Sequence, residues 1–274
     1  MKLLLCVQTP EVPSRSPISL LSGTFEEMLV KASAWGADGL ELMPVNPLRL
    51  DAGWIRSLLD AHHLREVAIG TALLSIVSGL TLLNADTEKS AQAKTRLSEM
   101  IDFAAELRAN PITIGGFRGR FSSVGEQGRL KLAEILSEAA DYAESRGIRL
   151  ALEPVNRYQL DGIATVEDGL AFIEEVGSPA LGLTLDTCHM NMEENSWSEP
   201  FQQAMTVDRL WHIHLADNNR LAPGRGLIDF RSILETLKSV GYERYASFEI
   251  LARPDPDGAA KDSLFYIRSL LEKS

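Results

Sequence analysis

Eight short apolar runs recur along the chain, and stretches long enough for a helix separate them. In chain order the runs are KLLLCV from Lys2, DGLELM from Asp38, REVAIGTAL from Arg65, PITIGGF from Pro111, IRLALEP from Ile148, LGLTLD from Leu181, LWHIHLAD from Leu210 and YASFEIL from Tyr245. Near-continuous apolar character is typical of parallel strands that are covered on both faces. Helix-sized connections indicate right-handed βαβ units, and eight such units close into a barrel.

The segments between the runs carry helix signals. Thr24 and Thr165 each begin a Thr-x-x-acid capping box, and the segment 124–147 has helical apolar spacing and ends at Gly147. A doubly wound open sheet is the alternative, but the strand count and the lack of a G-x-G-x-x-G turn disfavour it. No linker or composition break divides the chain. We therefore predict an α/β fold, a single-domain (β/α)8 TIM barrel over residues 1–274.

Composition narrows the classes of partner. A formal net charge of −11 over 274 residues with no basic cluster argues against nucleic acid. The apolar runs fall short of the roughly 20 residues of a membrane span, and the first is too short for a signal peptide. Two cysteines, Cys6 and Cys188, indicate no disulfide framework, so reduced thiols and a cytoplasmic location are expected. The partner predicted is a small molecule.

Acids and a histidine recur where the last four predicted strands end. Glu153, Asp186, His214 and Glu249 each lie in or at the end of an apolar run, about one βα unit apart. Active sites of such barrels lie at the carboxyl ends of the strands, and consecutive strands are neighbours. Three carboxylates and an imidazole suit one divalent ion, with Mn²⁺ expected and Mg²⁺, Co²⁺ or Zn²⁺ as alternatives.

Each of these residues also has a simpler interpretation. A single strand-end glutamate is usually solvated, and His212, which shares a face with His214, is compatible with a hydrogen-bonded core histidine. Arg118 and Arg120 in GGFRGR, and Arg225 in PGRG, are either anion-binding side chains beside exposed N–H groups or ordinary solvated arginines. Four acid or histidine residues at the same point of four consecutive strands nevertheless favour a site.

Four motifs resemble those of a known superfamily. They are EPVNRYQ (153–159), LDTCHMNMEE (185–194), HIHLADNNRLAPGRGLIDF (212–230) and SFEI (247–250). The chain is similar to the xylose-isomerase-like sugar phosphate isomerases and epimerases, and most similar to the ketose 3-epimerase (D-tagatose and D-psicose 3-epimerase) branch. The resemblance implies a divalent-metal-dependent epimerase or isomerase that acts on a ketose or a related polyol or sugar phosphate. A homodimer or homotetramer is the expected assembly.

The resemblance also implies roles for individual residues. The metal ligands would be Glu153, Asp186, His214 and Glu249, with Glu153 and Glu249 as the acid/base pair that inverts a carbon next to a carbonyl through an enediolate. The residues expected to bind substrate are His189, Arg220, Gln159 and Glu41. Gln159 replaces a glutamate of the family, so the substrate is expected to differ at that end. Glu193 and Glu194 are expected to orient or cap their loop.

The residues leave several functions open. Proton return to the neighbouring carbon would give aldose–ketose isomerisation, and an inosose dehydratase or hydroxypyruvate isomerase would use the same site. An endonuclease IV-like phosphodiesterase would need a site richer in histidine. A non-catalytic sugar-binding barrel is the alternative from another class. Retention of all four ligand residues favours catalysis.

Overall fold

Eight parallel strands pair in chain order, and the last pairs with the first to close a barrel. In the computed structural model, which describes residues 1–272, the strands are β1 (Lys2–Gln8), β2 (Gly39–Met43), β3 (Glu66–Gly70), β4 (Ile112–Ile114), β5 (Leu150–Leu152), β6 (Leu181–Asp186), β7 (Leu210–His214) and β8 (Tyr245–Phe248). All eight predicted runs contain one strand, so the (β/α)8 barrel is confirmed. Residues 273–274 of the predicted domain lie outside the described part.

Within residues 1–272, ten α-helices surround or cap this barrel. They are α1 (Phe25–Ala34), α2 (Ala52–Ala61), α3 (Ala72–Ile76), α4 (Thr87–Leu107), α5 (Gly128–Ser145), α6 (Val166–Val176), α7 (Thr187–Glu193), α8 (Ser198–Thr206), α9 (Phe230–Ser239) and α10 (Pro256–Leu271). Both predicted capping boxes are present: Thr24 accepts from the Glu27 N–H and Thr165 from the Asp168 N–H. Each box satisfies two N–H groups that a helix start leaves unpaired.

Helix α5 begins later than the sequence pattern predicts. The segment 124–147 was expected to be helical throughout, yet residues 121–127 form 3₁₀ turns and the α-helix starts at Gly128. The reason is Gly125, whose φ of 77° interrupts a right-handed helix. At the other end Gly147 has a φ of 71°, so the predicted glycine does lie in the left-handed conformation just beyond the helix.

The core fills the barrel and the layer between strands and helices. The residues of β2 and β6 are all buried, as expected for strands covered on both faces. Cys6 and Cys188 are buried and unpaired, in agreement with the absence of a disulfide framework. None of the helices within residues 1–272 is both long and apolar enough to cross a membrane.

Candidate active site

Four side chains converge at the carboxyl end of the barrel. One donor atom from each of Glu153, Asp186, His214 and Glu249 lies within 4.8 Å of the other three. His214 Nδ1 is 3.2 Å from a Glu153 oxygen and 3.9 Å from an oxygen of Asp186 and of Glu249. The four residues that the strand-end pattern selected therefore meet at one point. We call them the ligand cluster.

The ends of the strands direct the side chains of the ligand cluster toward the mouth of the barrel. Asp186 ends β6 and is the N-cap of α7, and its Oδ1 accepts from the N–H groups of Cys188 and His189 at 2.8 and 3.1 Å. Its other oxygen, Oδ2, faces the ligand cluster, 3.9 Å from His214 Nδ1, and also accepts from Arg220. Glu153 and Glu249 each come one residue after a strand, which places them at the barrel mouth.

Gly115 makes room for one of the carboxylates. A Cβ atom at this position would lie 2.0 Å from Glu153 Oε2, far inside a van der Waals contact. The glycine after β4 thus leaves space that the neighbouring carboxylate occupies. Three carboxylate oxygens and one imidazole nitrogen in a buried cradle fit a divalent ion such as Mn²⁺, Mg²⁺, Co²⁺ or Zn²⁺.

Glu41 lies beneath the ligand cluster. Its carboxylate accepts hydrogen bonds from Thr113 at 2.9 Å, from His212 at 3.0 Å and from His214 Nε2 at 3.1 Å. The two nitrogens of His214 therefore face different partners: Nδ1 faces the ligand cluster and Nε2 faces Glu41. A carboxylate behind a ligand histidine fixes its tautomer and raises its basicity. Glu41 was expected to line the site, but it is 1% exposed and is not among the residues that line the cavity described below.

Burial and charge set the ionisation of this region. Burial works against ionisation, but the charges of His214 and His212 hold the pKa of Glu41 well below its usual range. Although burial disfavours the imidazolium, the charges of Glu41 and Glu249 raise the pKa of His214 well above its usual value. Burial raises the pKa of Glu249 to about 7, and the charges of Glu153 and Asp186 add to the shift. A bound cation would relieve this carboxylate repulsion.

A cavity of about 270 Å³ opens directly above the ligand cluster. Of the four cluster residues, Glu153 and Glu249 line it, whereas Asp186 and His214 do not. His189, Arg220 and Gln159, which the resemblance assigned to substrate, also line it. The remaining described lining residues are Ile18, Ala72, Ser75, Ile76, Thr113, Gly115, Gly116 and Val155. Helix α3 supplies three of these, and no sequence signal pointed to it.

Arg220 is bound to the ligand cluster. Its guanidinium donates to Asp186 Oδ2 at 2.5 Å and also to Glu249. Although burial disfavours the charge, the carboxylates of Asp186 and Glu249 raise the pKa of Arg220 above its usual value. The residue has a φ of 62°, and its loop is organised by the buried Asp217, which accepts from the N–H groups of Gly224 and Gly226.

His189 is held by Asn156, a residue for which the sequence predicted no role. Its Nδ1 lies 2.8 Å from Asn156 Nδ2, and both side chains are buried. Asn156 belongs to the quoted motif EPVNRYQ, so its position in the motif was the only available signal. Burial disfavours the imidazolium and lowers the pKa of His189.

The arginines of the glycine-rich loops do not form an anion site. Arg118 is fully buried and donates to the carbonyls of Gly119, Asp161 and Ile163, while burial lowers its pKa to about 10. Arg225 forms an exposed ion pair with Asp262. Within residues 1–272, neither they nor Arg120 line the cavity. The solvated interpretation holds for Arg225, and Arg118 instead clips two loops together.

Two acids at the C-terminal end of α7 stabilise the loop that follows it. Glu193 accepts from the N–H and guanidinium of Arg157, and Glu194 accepts from the Val166 N–H at the start of α6. Their predicted role in orienting the loop is confirmed. His212 is also accounted for as a core histidine, since its Nε2 bonds to Glu41 and Ser247.

Known proteins resemble this chain in sequence and fold. Residues 29–270 match the family described as xylose isomerase-like TIM barrel. An L-ribulose 3-epimerase of Methylomonas sp. (strain DH-1) is 29% identical over 89% of this chain and 84% of its own length. A 3-dehydro-D-guloside 4-epimerase of Escherichia coli (strain K12) is 34% identical over 52% of this chain and 53% of its own length. A solved structure of L-ribulose 3-epimerase superposes with a TM-score of 0.80 at 25% identity, covering 98% of this chain and 94% of that one.

Proposed function

The chain belongs to the xylose isomerase-like TIM barrel family, and on that premise we propose that it is a divalent-metal-dependent epimerase of ketoses. The observation that supports this most strongly is that two members of the ligand cluster, Glu153 and Glu249, line the floor of the cavity. The relatives named above are sugar epimerases, which are isomerases. Mn²⁺ is the proposed ion, and the other three divalent ions fit the same donor set.

The proposed chemistry inverts a carbon next to a carbonyl. A bound divalent ion would supply Lewis-acid stabilisation of the negative charge that develops on the substrate oxygens. One of Glu153 and Glu249 removes the proton from one face of the carbon, and the other returns a proton to the opposite face. They follow β5 and β8, so they reach the cavity from different sides of the ring of strands.

Two donors beside the carboxylates orient the sugar. His189 and Arg220 line the cavity and present N–H groups to substrate oxygens. Gln159 offers both a donor and an acceptor without charge, which suits a hydroxyl group at the other end of the substrate. Glu41 acts on this reaction through His214 and not through the substrate.

The substrate proposed is a free sugar without a phosphate group. Within the described residues that line the cavity, the only basic side chains are His189 and Arg220, and Arg220 is already paired with Asp186 and Glu249. A phosphate normally requires charge-assisted hydrogen bonds from cations or exposed backbone N–H groups. Of the loop arginines that could have supplied such bonds, Arg118 is buried against backbone carbonyls and Arg225 is paired with Asp262. Arg120 does not line the cavity.

Deuterium incorporation tests the proposal directly. The Mn²⁺-loaded protein is incubated in D₂O with free and phosphorylated ketoses, and NMR locates the deuterium. We expect exchange at C3 of a free ketose. Glu153→Gln and Glu249→Gln should each lower the exchange rate roughly 10² to 10⁴-fold, the usual contribution of a general acid or base. Glu199→Gln on the exposed face of α8 is the matched control. No exchange in any ketose, with no metal bound, would refute the function.

A second reaction, epimerisation at C4, has its own support. The E. coli relative is named a 4-epimerase, so the same residues are compatible with inversion at C4 of a sugar with a keto group at C3. Deuterium at C4 of a 3-keto sugar, with none at C3 of any ketose, would favour this reaction. Exchange at C1 or C2 would instead indicate aldose–ketose isomerisation.

A further inference from the structure

Asn156 has one orientation that satisfies its neighbours. Its Oδ1 accepts from the Tyr158 N–H at 3.1 Å, which leaves Nδ2 directed at the His189 ring. The distance from Nδ2 to His189 Nδ1 is 2.8 Å, and Asn156 and His189 are 1% and 3% exposed. An amide NH₂ group can only donate, so Nδ1 of His189 must be the acceptor.

The acceptor at Nδ1 determines the other edge of the ring. A neutral imidazole carries one proton, and it lies on Nε2 when Nδ1 accepts. Nδ1 is occupied by Asn156, and His189 lines the cavity. Nε2–H is therefore the group that the ring offers to a ligand in the cavity. The opposite tautomer would offer only a lone pair there.

We propose that Asn156 is a positioning residue that holds His189 as a hydrogen-bond donor toward a substrate oxygen. The identity of that oxygen as part of a ketose rests on the proposed function, whereas the tautomer does not. An aspartate at position 156 would accept a hydrogen bond instead, and the ring proton of His189 would then lie on Nδ1. Because Asn156 makes His189 a donor toward the cavity, the site stabilises a substrate oxygen on which negative charge develops.

The same residue also fixes a second cavity wall. The Asn156 carbonyl accepts from the N–H groups of Gln159 and Leu160 at 3.0 and 3.1 Å and closes the turn that carries Gln159. One residue thus positions two polar groups of the cavity. Because the turn uses backbone atoms and Oδ1, a change confined to Nδ2 separates the tautomer from the turn.

Asn156→Asp makes that change. It retains the size of the side chain and the oxygen that accepts from Tyr158, but it replaces the donor by an acceptor. ¹⁵N-labelled protein loaded with diamagnetic Mg²⁺ or Zn²⁺ is examined by NMR, with His189→Gln to assign the ring. We expect an unprotonated Nδ1 and a protonated Nε2 in the wild type. In Asn156→Asp, Nδ1 should become protonated. Asn195→Asp, at an exposed position, adds the same charge and should leave the ring unchanged.

Turnover provides the second measurement. We expect kcat of Asn156→Asp to fall at least about tenfold, because the reversed ring no longer donates to the oxygen on which negative charge develops. The thermal midpoint should stay unchanged. A protonated Nδ1 in the wild type, or a ring unaffected by Asn156→Asp, would overturn the proposal. So would full turnover with a reversed ring. If the wild type has the expected tautomer but exchanges no ketose, the proposed function fails and the positioning of His189 stands.

Discussion

Gly115 shows how closely one backbone position is tied to the chemistry of a neighbouring side chain. A methyl group there would collide with Glu153 Oε2, so Gly115→Ala must displace that carboxylate from the ligand cluster. We expect Mn²⁺ affinity to fall roughly 10 to 100-fold, as for other changes that misplace a ligand. Calorimetric titration measures it. Gly116→Ala is the matched control, because its Cβ would lie 3.3 Å from the movable Ser75 Oγ. Equal affinities in the two variants would contradict the prediction.

A substitution of Glu41 distinguishes whether its carboxylate acts on the ligand His214 or on the substrate. Glu41→Gln keeps the shape of the side chain but removes the charge that faces His214 Nε2. We expect Mn²⁺ affinity and kcat to fall about tenfold or more, because His214 becomes a weaker base. The KM for the sugar should change little. A raised KM with unaltered Mn²⁺ affinity would instead support the direct substrate contact expected from the resemblance.

The individual residues differ in how far sequence could predict them. Glu153, Asp186, His214 and Glu249 were accessible because a charged group at the end of an apolar strand is costly without a partner. The contact between Glu41 and His214 could not be predicted, because the two residues lie on strands that are not neighbours in the barrel. The role of Arg118 was ambiguous for a related reason. Its guanidinium donates to backbone carbonyls of another loop, and every residue has such a carbonyl, so the sequence does not show which ones it contacts.

Among the elements, the strands were predictable and the short helices were not. Each strand is a buried run bounded by polar residues, and the covering of both faces keeps that run apolar. Helices α3 and α7 have five and seven residues, too few for a helical period to be visible. Both nevertheless bear on the site, since α3 lines the cavity and α7 carries His189.

The loops after β4 and β5 form a clip whose strength should depend on pH. Arg118 donates to the carbonyls of Asp161 and Ile163, and the Asp161 carboxylate accepts from the N–H groups of Phe121 and Ser122. Burial opposes ionisation, but these hydrogen bonds and the charge of Arg118 hold the pKa of Asp161 below its usual value. A pKa lowered by folding gives stability that is present above the unfolded pKa and lost as pH falls through the folded one.

Asp161→Asn should therefore reduce stability in neutral solution and matter less in acid. We expect a loss of about 2 kcal/mol at pH 7, typical of hydrogen bonds to a charged group. The difference from wild type should begin to shrink below about pH 4, near the ordinary aspartate pKa. Urea unfolding between pH 7 and pH 3 measures it. Asp141→Asn, at an exposed position on α5, should show no such trend. A constant difference at every pH would contradict the assignment.

The barrel as a whole makes the site possible. The ligand cluster and Glu41 come from β2 and from the ends of β5 to β8, and closure through the β1–β8 pairing brings these distant segments to one axis. Sequence could order the strands and mark their ends, because chain order equals spatial order here. It could not give the depth of each side chain along the axis, which separates Glu41 from the cavity by a layer that contains His214.

Closure also concentrates three carboxylates in a buried space, in a chain whose formal net charge is already −11. Arg220 and His214 offset part of this repulsion, and a divalent ion would offset more of it.

A ligand that binds only the folded state stabilises it by about 2.7 kcal/mol at a hundredfold excess over its Kd. At roughly 2 to 4 °C per kcal/mol for proteins of a few hundred residues, Mn²⁺ should raise Tm by about 5 to 10 °C. Scanning calorimetry with and without Mn²⁺ measures the shift, and Glu153→Gln should lose most of it while Glu199→Gln keeps it. An unchanged Tm with Mn²⁺, Mg²⁺, Co²⁺ and Zn²⁺ alike would mean that the carboxylates are held together by Arg220 and His214 alone.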